Sequence, residues 1–129
     1  IHDSLAELLP PNKLSHYQEC GAIEVAPLAY MRGRTLKRAF IILDEAQNTT
    51  IAQMKMFLTR LGPASKAIIT GDATQIDLAK KEPSGFLHAM QLLKGIKGIS
   101  QIDFQAEDVL RHRLVKEIIA AYSDKGERI

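Results

Sequence analysis

The segment that most constrains the fold of this chain is a run of four large apolar residues, Phe40 to Leu43, followed directly by two acids, Asp44 and Glu45. The run lacks the alternation of a half-exposed strand, so it predicts a strand covered on both faces, as in the parallel sheet of an α/β protein. Ligands bind at the carboxyl edge of such sheets. The two acids are therefore expected at the mouth of a site and not in the core.

Adjacent carboxylates at the end of a buried strand can divide a chemical task between them. Asp44 can hold Mg²⁺, directly or through water, while Glu45 takes the proton from an attacking water. The alternative is a strand that simply ends in a solvated acidic turn. Both interpretations fit this stretch taken alone.

Length and composition indicate one globular domain over residues 1–129. Hydrophobic residues make up 46% and charged residues 25%, as in globular proteins. The apolar runs are too short to span a bilayer, so we do not expect a membrane protein. Seventeen basic and fifteen acidic residues leave a net charge of +2, so a nucleic-acid partner has to be argued from local clustering. The single cysteine, Cys20, excludes an internal disulfide and suits a cytoplasmic location.

Periodicity along the rest of the chain predicts helices that alternate with short strands. The predicted helices cover residues 3–9, 12–20, 51–61, 85–95 and 110–122. Thr50 with Gln53 three residues later predicts a capping box for the third of these helices, and Ser84 is the predicted cap of the fourth. The predicted strands, besides the one before the acids, cover residues 22–26, 67–70 and 99–104. This alternation favours a doubly wound α/β architecture.

A second polar segment, residues 71–77, follows the apolar run at 67–70 at once. Because parallel strands end at the same edge of a sheet, this loop is expected beside the two acids. Its Gln75 carries an amide that both donates and accepts, so it can touch a terminal phosphate and the water attacking it. Gln47 can serve the same place, although a loop glutamine is more commonly a plain surface residue.

A cluster of cations lies upstream of the apolar run, at residues 31–38 (MRGRTLKR). Loops that contact nucleic-acid phosphates concentrate such cations, but many runs of this kind are only solvated. We hypothesise RNA-phosphate contacts for Arg32, Arg34, Lys37 and Arg38, with a solvated loop as the alternative.

Five motifs, taken in this order, resemble those of the PhoH-like proteins, which are bacterial P-loop ATPases. They are MRGRTL at 31–36, FIILDEAQNTT at 40–50, QMKMFLTR at 53–60, GDATQIDL at 71–78 and VLRH at 109–112. DEAQ at 44–47 and GDATQ at 71–75 are also similar to the Walker B and phosphate-sensing motifs of superfamily 1 helicases. The resemblance covers nearly the whole chain, from about residue 21 to residue 122.

This resemblance implies a P-loop NTPase-like fold with a doubly wound, mainly parallel sheet. It also implies an ATPase associated with RNA binding or unwinding and with ring-shaped oligomers, commonly hexamers. By the same resemblance, Asp44 is the Mg²⁺ ligand, Glu45 the catalytic base and Gln75 the γ-phosphate sensor. Arg111 is a candidate arginine finger, the alternative being a surface ion pair with a neighbouring acid. The remaining positions implied for ATP binding are Gln47, Gly71 and Asp72.

One departure from the family pattern is large: the phosphate-binding loop G-x-x-x-x-G-K-[ST] is absent from these 129 residues. That loop would supply the backbone cradle for the α- and β-phosphates and a lysine for the β- and γ-phosphates. In the fold that the chain resembles, the same segment supplies the central strand, between those predicted at 67–70 and 99–104. We therefore expect an incomplete sheet, a C-terminal part of a longer protein, and no ATP turnover by this chain alone. The alternative function is a non-hydrolysing RNA- or protein-binding or assembly module.

Overall fold

The computed structural model describes residues 2–79, 82–105, 108, 114, 115 and 117. It falls into two compact units, residues 1–96 and residues 97–129. The first unit holds all the elements labelled here: α1 (His2–Leu8), α2 (Pro11–Glu19), β1 (Phe40–Leu43), α3 (Ile51–Leu58), β2 (Lys66–Ile69) and α4 (Gly85–Leu92). Two short 3₁₀ helices cover Leu28–Met31 and Ala46–Asn48. Across the described ranges, each helix is too short or too polar to cross a membrane.

The two strands lie side by side in parallel, in a register that pairs Phe40 with Lys66 and Leu43 with Ile69. A parallel pair needs a crossover connection, and α3 lies between the two strands in sequence. These features confirm a mixed α/β arrangement with parallel strands. The sheet has two strands in the described part of the chain, so the wider doubly wound sheet stays a prediction.

One face of the strand pair is open to solvent. Phe40 and Ile42 are 63% and 49% exposed, and Ile68, which pairs with Ile42, is 41% exposed. The alternate residues Ile41 and Leu43 are half-buried. The prediction that β1 is covered on both faces is therefore wrong for the described residues. A strand's own sequence sets the character of its two faces, whereas their coverage depends on the layers placed against them.

The predicted strand at 22–26 is wrong, because this segment turns back on the end of α2. Gly21 has a φ of 73°, and the N–H of Ile23 donates to the Tyr17 carbonyl at 2.9 Å. This bond caps the helix and uses a donor that a ladder would need.

The predicted strand at 99–104 is also wrong, since these residues form no strand in the structure. Ile102 and Phe104 are 79% and 80% exposed. An alternating pattern becomes a strand only beside another strand, and the pattern itself does not supply one. Of the helix predicted at 110–122, the described residues are Leu114, Val115 and Glu117, and these three are helical.

Helix α3 packs against α4 and supplies two large apolar side chains to the core of the first unit. Met54 and Phe57 on α3 are each only 2% exposed. The predicted capping box begins this helix: the Thr50 side chain accepts from the N–H of Gln53, and the Gln53 side chain accepts from the N–H of Thr50. Ser84 caps α4, as predicted. These two helix starts lie together and fix the loop that follows β1.

Candidate functional site

The two acids follow β1 at its carboxyl end, directly beside the end of β2. The Thr70 hydroxyl donates to Oδ1 of Asp44 at 2.6 Å. The Thr70 N–H donates to the Leu43 carbonyl, and the Thr70 carbonyl accepts from the N–H of Ala46, both at 2.9 Å. The two strands therefore stay hydrogen-bonded up to the acids. These backbone bonds confirm the prediction that the two loops begin side by side.

Glu45 occupies an unusual backbone conformation, with φ 54° and ψ 36° in the left-handed region. For a residue with a Cβ this conformation costs on the order of 1–2 kcal/mol and persists only where neighbours hold it. The next residue, Ala46, is fully buried and begins the short 3₁₀ helix. The turn therefore leaves the Glu45 side chain exposed while the chain behind it is anchored in the core.

Gln47 lies at the centre of the site and is only 1% exposed. Its Nε2 donates to Oε2 of Glu45 at 2.6 Å and to the Gln75 carbonyl at 3.4 Å. Its Oε1 accepts from the backbone N–H of Asp72 at 3.1 Å. The backbone carbonyl of Gln47 accepts from the Ser84 hydroxyl at 2.8 Å. One side chain thus joins the loop after β1 to the loop after β2.

The loop after β2 is held by its own side chains. Oδ1 of Asp72 accepts from the N–H and the hydroxyl of Thr74, at 2.9 and 2.7 Å. The Gln75 amide donates to Oδ2 of Asp72 at 2.5 Å. The Asn48 side chain accepts from the N–H of Asp77 at 2.8 Å. These bonds order a loop that is exposed to solvent. Gln75 lies at the same edge as the acids, because its carbonyl accepts from the Gln47 amide.

Gly71 is needed at the start of this loop because other groups approach it closely. A Cβ at this position would lie 2.9 Å from Cε1 of Phe86 and 3.2 Å from the backbone nitrogen of Gln47. The absence of a side chain at Gly71 lets the loop pass between the α4 ring and the loop after β1. A packing constraint therefore explains this glycine without a ligand.

Sequence reasoning missed three residues that build the site: Thr70, Ser84 and Asn48. Thr70 ends the apolar run predicted as a strand at 67–70, yet its hydroxyl holds Asp44. The local pattern at Ser84 predicts only a helix cap, whereas its hydroxyl also donates to the backbone carbonyl of Gln47, 37 positions away. A polar residue at a strand end is a usable signal, whereas a contact across so many positions leaves none in a single sequence.

The structure does not bring the cation cluster to this edge. Lys37 and Arg38 immediately precede the amino end of β1, whereas the acids follow its carboxyl end. A strand of this length spans about 13 Å. Arg38 has a φ of 50°, and its N–H donates to the Pro63 carbonyl at 3.0 Å. Any phosphate bound by these two cations would therefore lie at the opposite end of the strand from the acids.

Arg34 is engaged in an ion pair with Glu24. Its two terminal nitrogens donate to the two carboxylate oxygens, at 2.6 and 2.8 Å. These hydrogen bonds, together with the opposite charge of each partner, lower the pKa of the Glu24 carboxyl and raise the pKa of the Arg34 guanidinium. The pair is therefore complete above the lowered pKa of Glu24 and is lost as the pH falls through it. Arg32 and Lys37 are exposed on the same segment.

Arg111 and its neighbours at 109–113 lie outside the described residues. Within the described ranges, no group of three or more metal-binding side chains occurs. Mg²⁺ does not require one, since it is commonly held by one or two carboxylates together with phosphate oxygens and water. The exposed Asp44 carboxylate beside the Thr70 hydroxyl is an oxygen donor set of that kind.

The fold and the site together define a mixed α/β protein with paired acids and an amide-bearing loop at the ends of two parallel strands. The model of the PhoH-like protein family matches residues 1–123. A PhoH-like protein of Bacillus subtilis is 59% identical over 126 residues, and one of Mycobacterium bovis is 54% identical over 123 residues. The protein PhoH of Escherichia coli K12 is 48% identical over 105 residues.

The chain belongs to the PhoH-like protein family. These matches cover 98%, 95% and 81% of this chain but 40%, 35% and 30% of the three relatives. The chain thus spans well under half the length of the curated relatives that it matches, and the activity of the whole protein is a separate question.

Proposed function

We propose that this chain supplies the metal-binding and water-activating half of an ATP-hydrolysing site in a longer protein, and that hydrolysis is coupled to RNA binding or unwinding. The observation that carries the proposal is the hydrogen-bonded junction of the two loops. The Asp44–Thr70 bond and the Gln47 bridge hold two carboxylates and the Gln75 loop at one edge of a parallel strand pair. Membership of the PhoH-like family supports a nucleotide as the ligand.

Each residue has a distinct role in this site. Asp44 holds Mg²⁺, which supplies neutralisation of the phosphate charge when it is bound. Glu45 orients a water and takes its proton. Gln75 contacts the terminal phosphate through its amide, with Asp72 holding that amide in place. The cradle for the remaining phosphates comes from a Walker A loop in another segment of the protein.

RNA and assembly belong to other surfaces in this proposal. The exposed cations Arg32 and Lys37, with Arg38 beside β1, contact RNA phosphates, away from the nucleotide edge. Arg34 joins them when its pair with Glu24 opens. Arg111 acts on the nucleotide of a neighbouring subunit in a ring-shaped oligomer.

The test is ATP hydrolysis by the purified full-length protein, with and without Mg²⁺ and single-stranded RNA. We expect turnover that requires Mg²⁺ and rises when RNA is added. RNA binding without any turnover would contradict the proposal and favour the alternative, a non-hydrolysing RNA-binding or assembly module.

A further inference from the structure

Gln47 uses all of its side-chain hydrogen-bonding groups within the protein, although it lies between two loops proposed to surround a nucleotide. Both of its bonds from Nε2 and the bond to its Oε1 go to protein atoms. With 1% of its surface exposed, it has almost no surface left for a ligand. These facts disfavour the phosphate contact expected from the sequence for this residue.

The orientation of the Gln47 amide is fixed by the chemistry of its partners. The carboxylate of Glu45 only accepts hydrogen bonds, so the amide nitrogen has to face it. The backbone N–H of Asp72 only donates, so the amide oxygen has to face that side. A residue at this position therefore has to donate on one side and accept on the other.

The Gln47 bridge restrains a carboxylate that the backbone of Glu45 does little to hold. Glu45 is in the left-handed region, and its side chain is exposed, so its own backbone does little to hold the carboxylate in one direction. The 2.6 Å bond from the buried Gln47 amide restrains one carboxylate oxygen from the protein side. Ser84 in turn fixes the backbone of Gln47 from the start of α4. The restraint thus runs from the core to the exposed acid.

We propose that Gln47 is a positioning residue: it aims the Glu45 carboxylate and couples it to the loop 71–77 that carries Gln75. The proposal rests on the proposed hydrolytic function of Glu45. The loop 71–77 carries two partners of the Gln47 side chain, the Gln75 carbonyl and the Asp72 N–H. A displacement of this loop therefore moves both partners together. The Glu45 carboxylate is therefore aligned only when the loop 71–77 keeps its bonds to Gln47.

Two variants in the full-length protein separate the two sides of the bridge. Gln47→Met has similar length and removes both the donor and the acceptor. Gln47→Glu keeps an acceptor for the Asp72 N–H but places an oxygen against the Glu45 carboxylate. Thr49→Val is the matched control, because Thr49 is also buried, lies in the same loop and bonds only the Ala46 carbonyl through its hydroxyl.

For both Gln47 variants we expect kcat for ATP to fall by about tenfold or more while KM changes by less than about threefold. In Gln47→Met alone, amide hydrogen exchange in residues 71–77 should accelerate by about tenfold, since the Asp72 N–H loses its acceptor. Thr49→Val should change neither quantity by more than about twofold. Adding Gln47→Met to Glu45→Gln should cause no further loss of kcat, because Gln47 acts through Glu45.

Three results would overturn the proposal. One is a kcat for Gln47→Met within about twofold of wild type. A second is a tenfold rise in KM at unchanged kcat, which would make Gln47 a nucleotide contact. The third is a full additional loss of kcat in the Glu45→Gln background. If the wild-type protein hydrolyses no ATP, the proposed function fails separately, and the exchange of residues 71–77 alone decides whether Gln47 holds this loop.

Discussion

Asp44 and Glu45 are neighbours in sequence but are held by different partners, which is why one pair of acids can serve two roles. The Asp44 carboxylate is bonded by the Thr70 hydroxyl at the end of β2. The Glu45 carboxylate is bonded by the Gln47 amide from the core side, and its backbone is turned into the left-handed region. A sequence can predict that both acids leave the strand, but the turn that separates their directions depends on Ala46 being buried behind them.

Asp44→Ala should weaken the part of ATP binding that depends on Mg²⁺. Loss of the single carboxylate proposed to hold the ion should reduce the ratio of affinities with Mg²⁺ and with EDTA by about tenfold or more. Calorimetric titration of the full-length protein with a non-hydrolysable ATP analogue measures this ratio. Asp3→Ala, an exposed acid of α1, is the control. An unchanged ratio in Asp44→Ala would remove the metal role from this residue.

Gly85→Ala should destabilise the protein through the contact between the starts of α3 and α4. The new Cβ would clash with the carbonyl oxygen of Thr50 and lie 2.9 Å from Cβ of Met54, so the backbone has to shift. Overpacking of this kind costs about 1–3 kcal/mol of unfolding free energy. Urea unfolding measures it, with His88→Ala on the exposed side of α4 as the control. Equal unfolding free energies for the two variants would contradict this prediction, since they would show that α3 and α4 move apart here at no cost.

At the scale of elements, the sequence predicts well what local interactions decide. The capping box at Thr50 and the cap at Ser84 involve residues three positions apart, and both are found. The parallel pair follows from two apolar runs joined by a helix. The segments 22–26 and 99–104 differ, because an alternating pattern becomes a strand only beside another strand, and in 22–26 the N–H of Ile23 already donates to the Tyr17 carbonyl. The bridge from Gln47 to Asp72 likewise depends on how distant loops meet, which no local pattern encodes.

The cation segment before β1 carries a prediction about RNA. Arg32→Ala should weaken binding to all single-stranded sequences about equally and lower the salt slope by roughly 0.7, the value for one phosphate contact. Arg34→Ala should have a smaller effect, because its guanidinium is already paired with Glu24. Fluorescence anisotropy at several salt concentrations measures the slopes. Lys13→Ala on α2 controls for net charge. Equal slopes for Arg32→Ala and wild type would assign the segment to the solvated surface.

At the scale of the whole molecule, this chain provides one edge of a site and two parallel strands with an open apolar face. It matches 30–40% of the length of three PhoH-like relatives. In the proposed function, residues outside these 129 complete the site. The proposal predicts that completion comes from a Walker A segment in the same chain and from Arg111 of a neighbouring subunit.

Mixing of two inactive variants tests the role of Arg111. Full-length Arg111→Ala and full-length Glu45→Gln should each be inactive alone, yet co-assembled oligomers should regain part of the ATPase activity. The reason is that some interfaces then join an intact base to an intact arginine. Mixed oligomers that form but stay inactive would exclude an arginine acting between subunits, and an active Arg111→Ala protein would exclude the finger itself.

The most direct test of the central claim is single-turnover ATP hydrolysis by full-length Glu45→Gln. The substitution keeps the size and polarity of the side chain but removes its ability to take a proton, so ATP should bind with a Kd within about threefold of wild type while hydrolysis slows by about a hundredfold or more. Glu19→Gln, the same change on α2, should leave the rate unaltered. A Glu45→Gln protein that hydrolyses bound ATP at the wild-type rate would contradict the assignment of this edge as the hydrolytic half of the site.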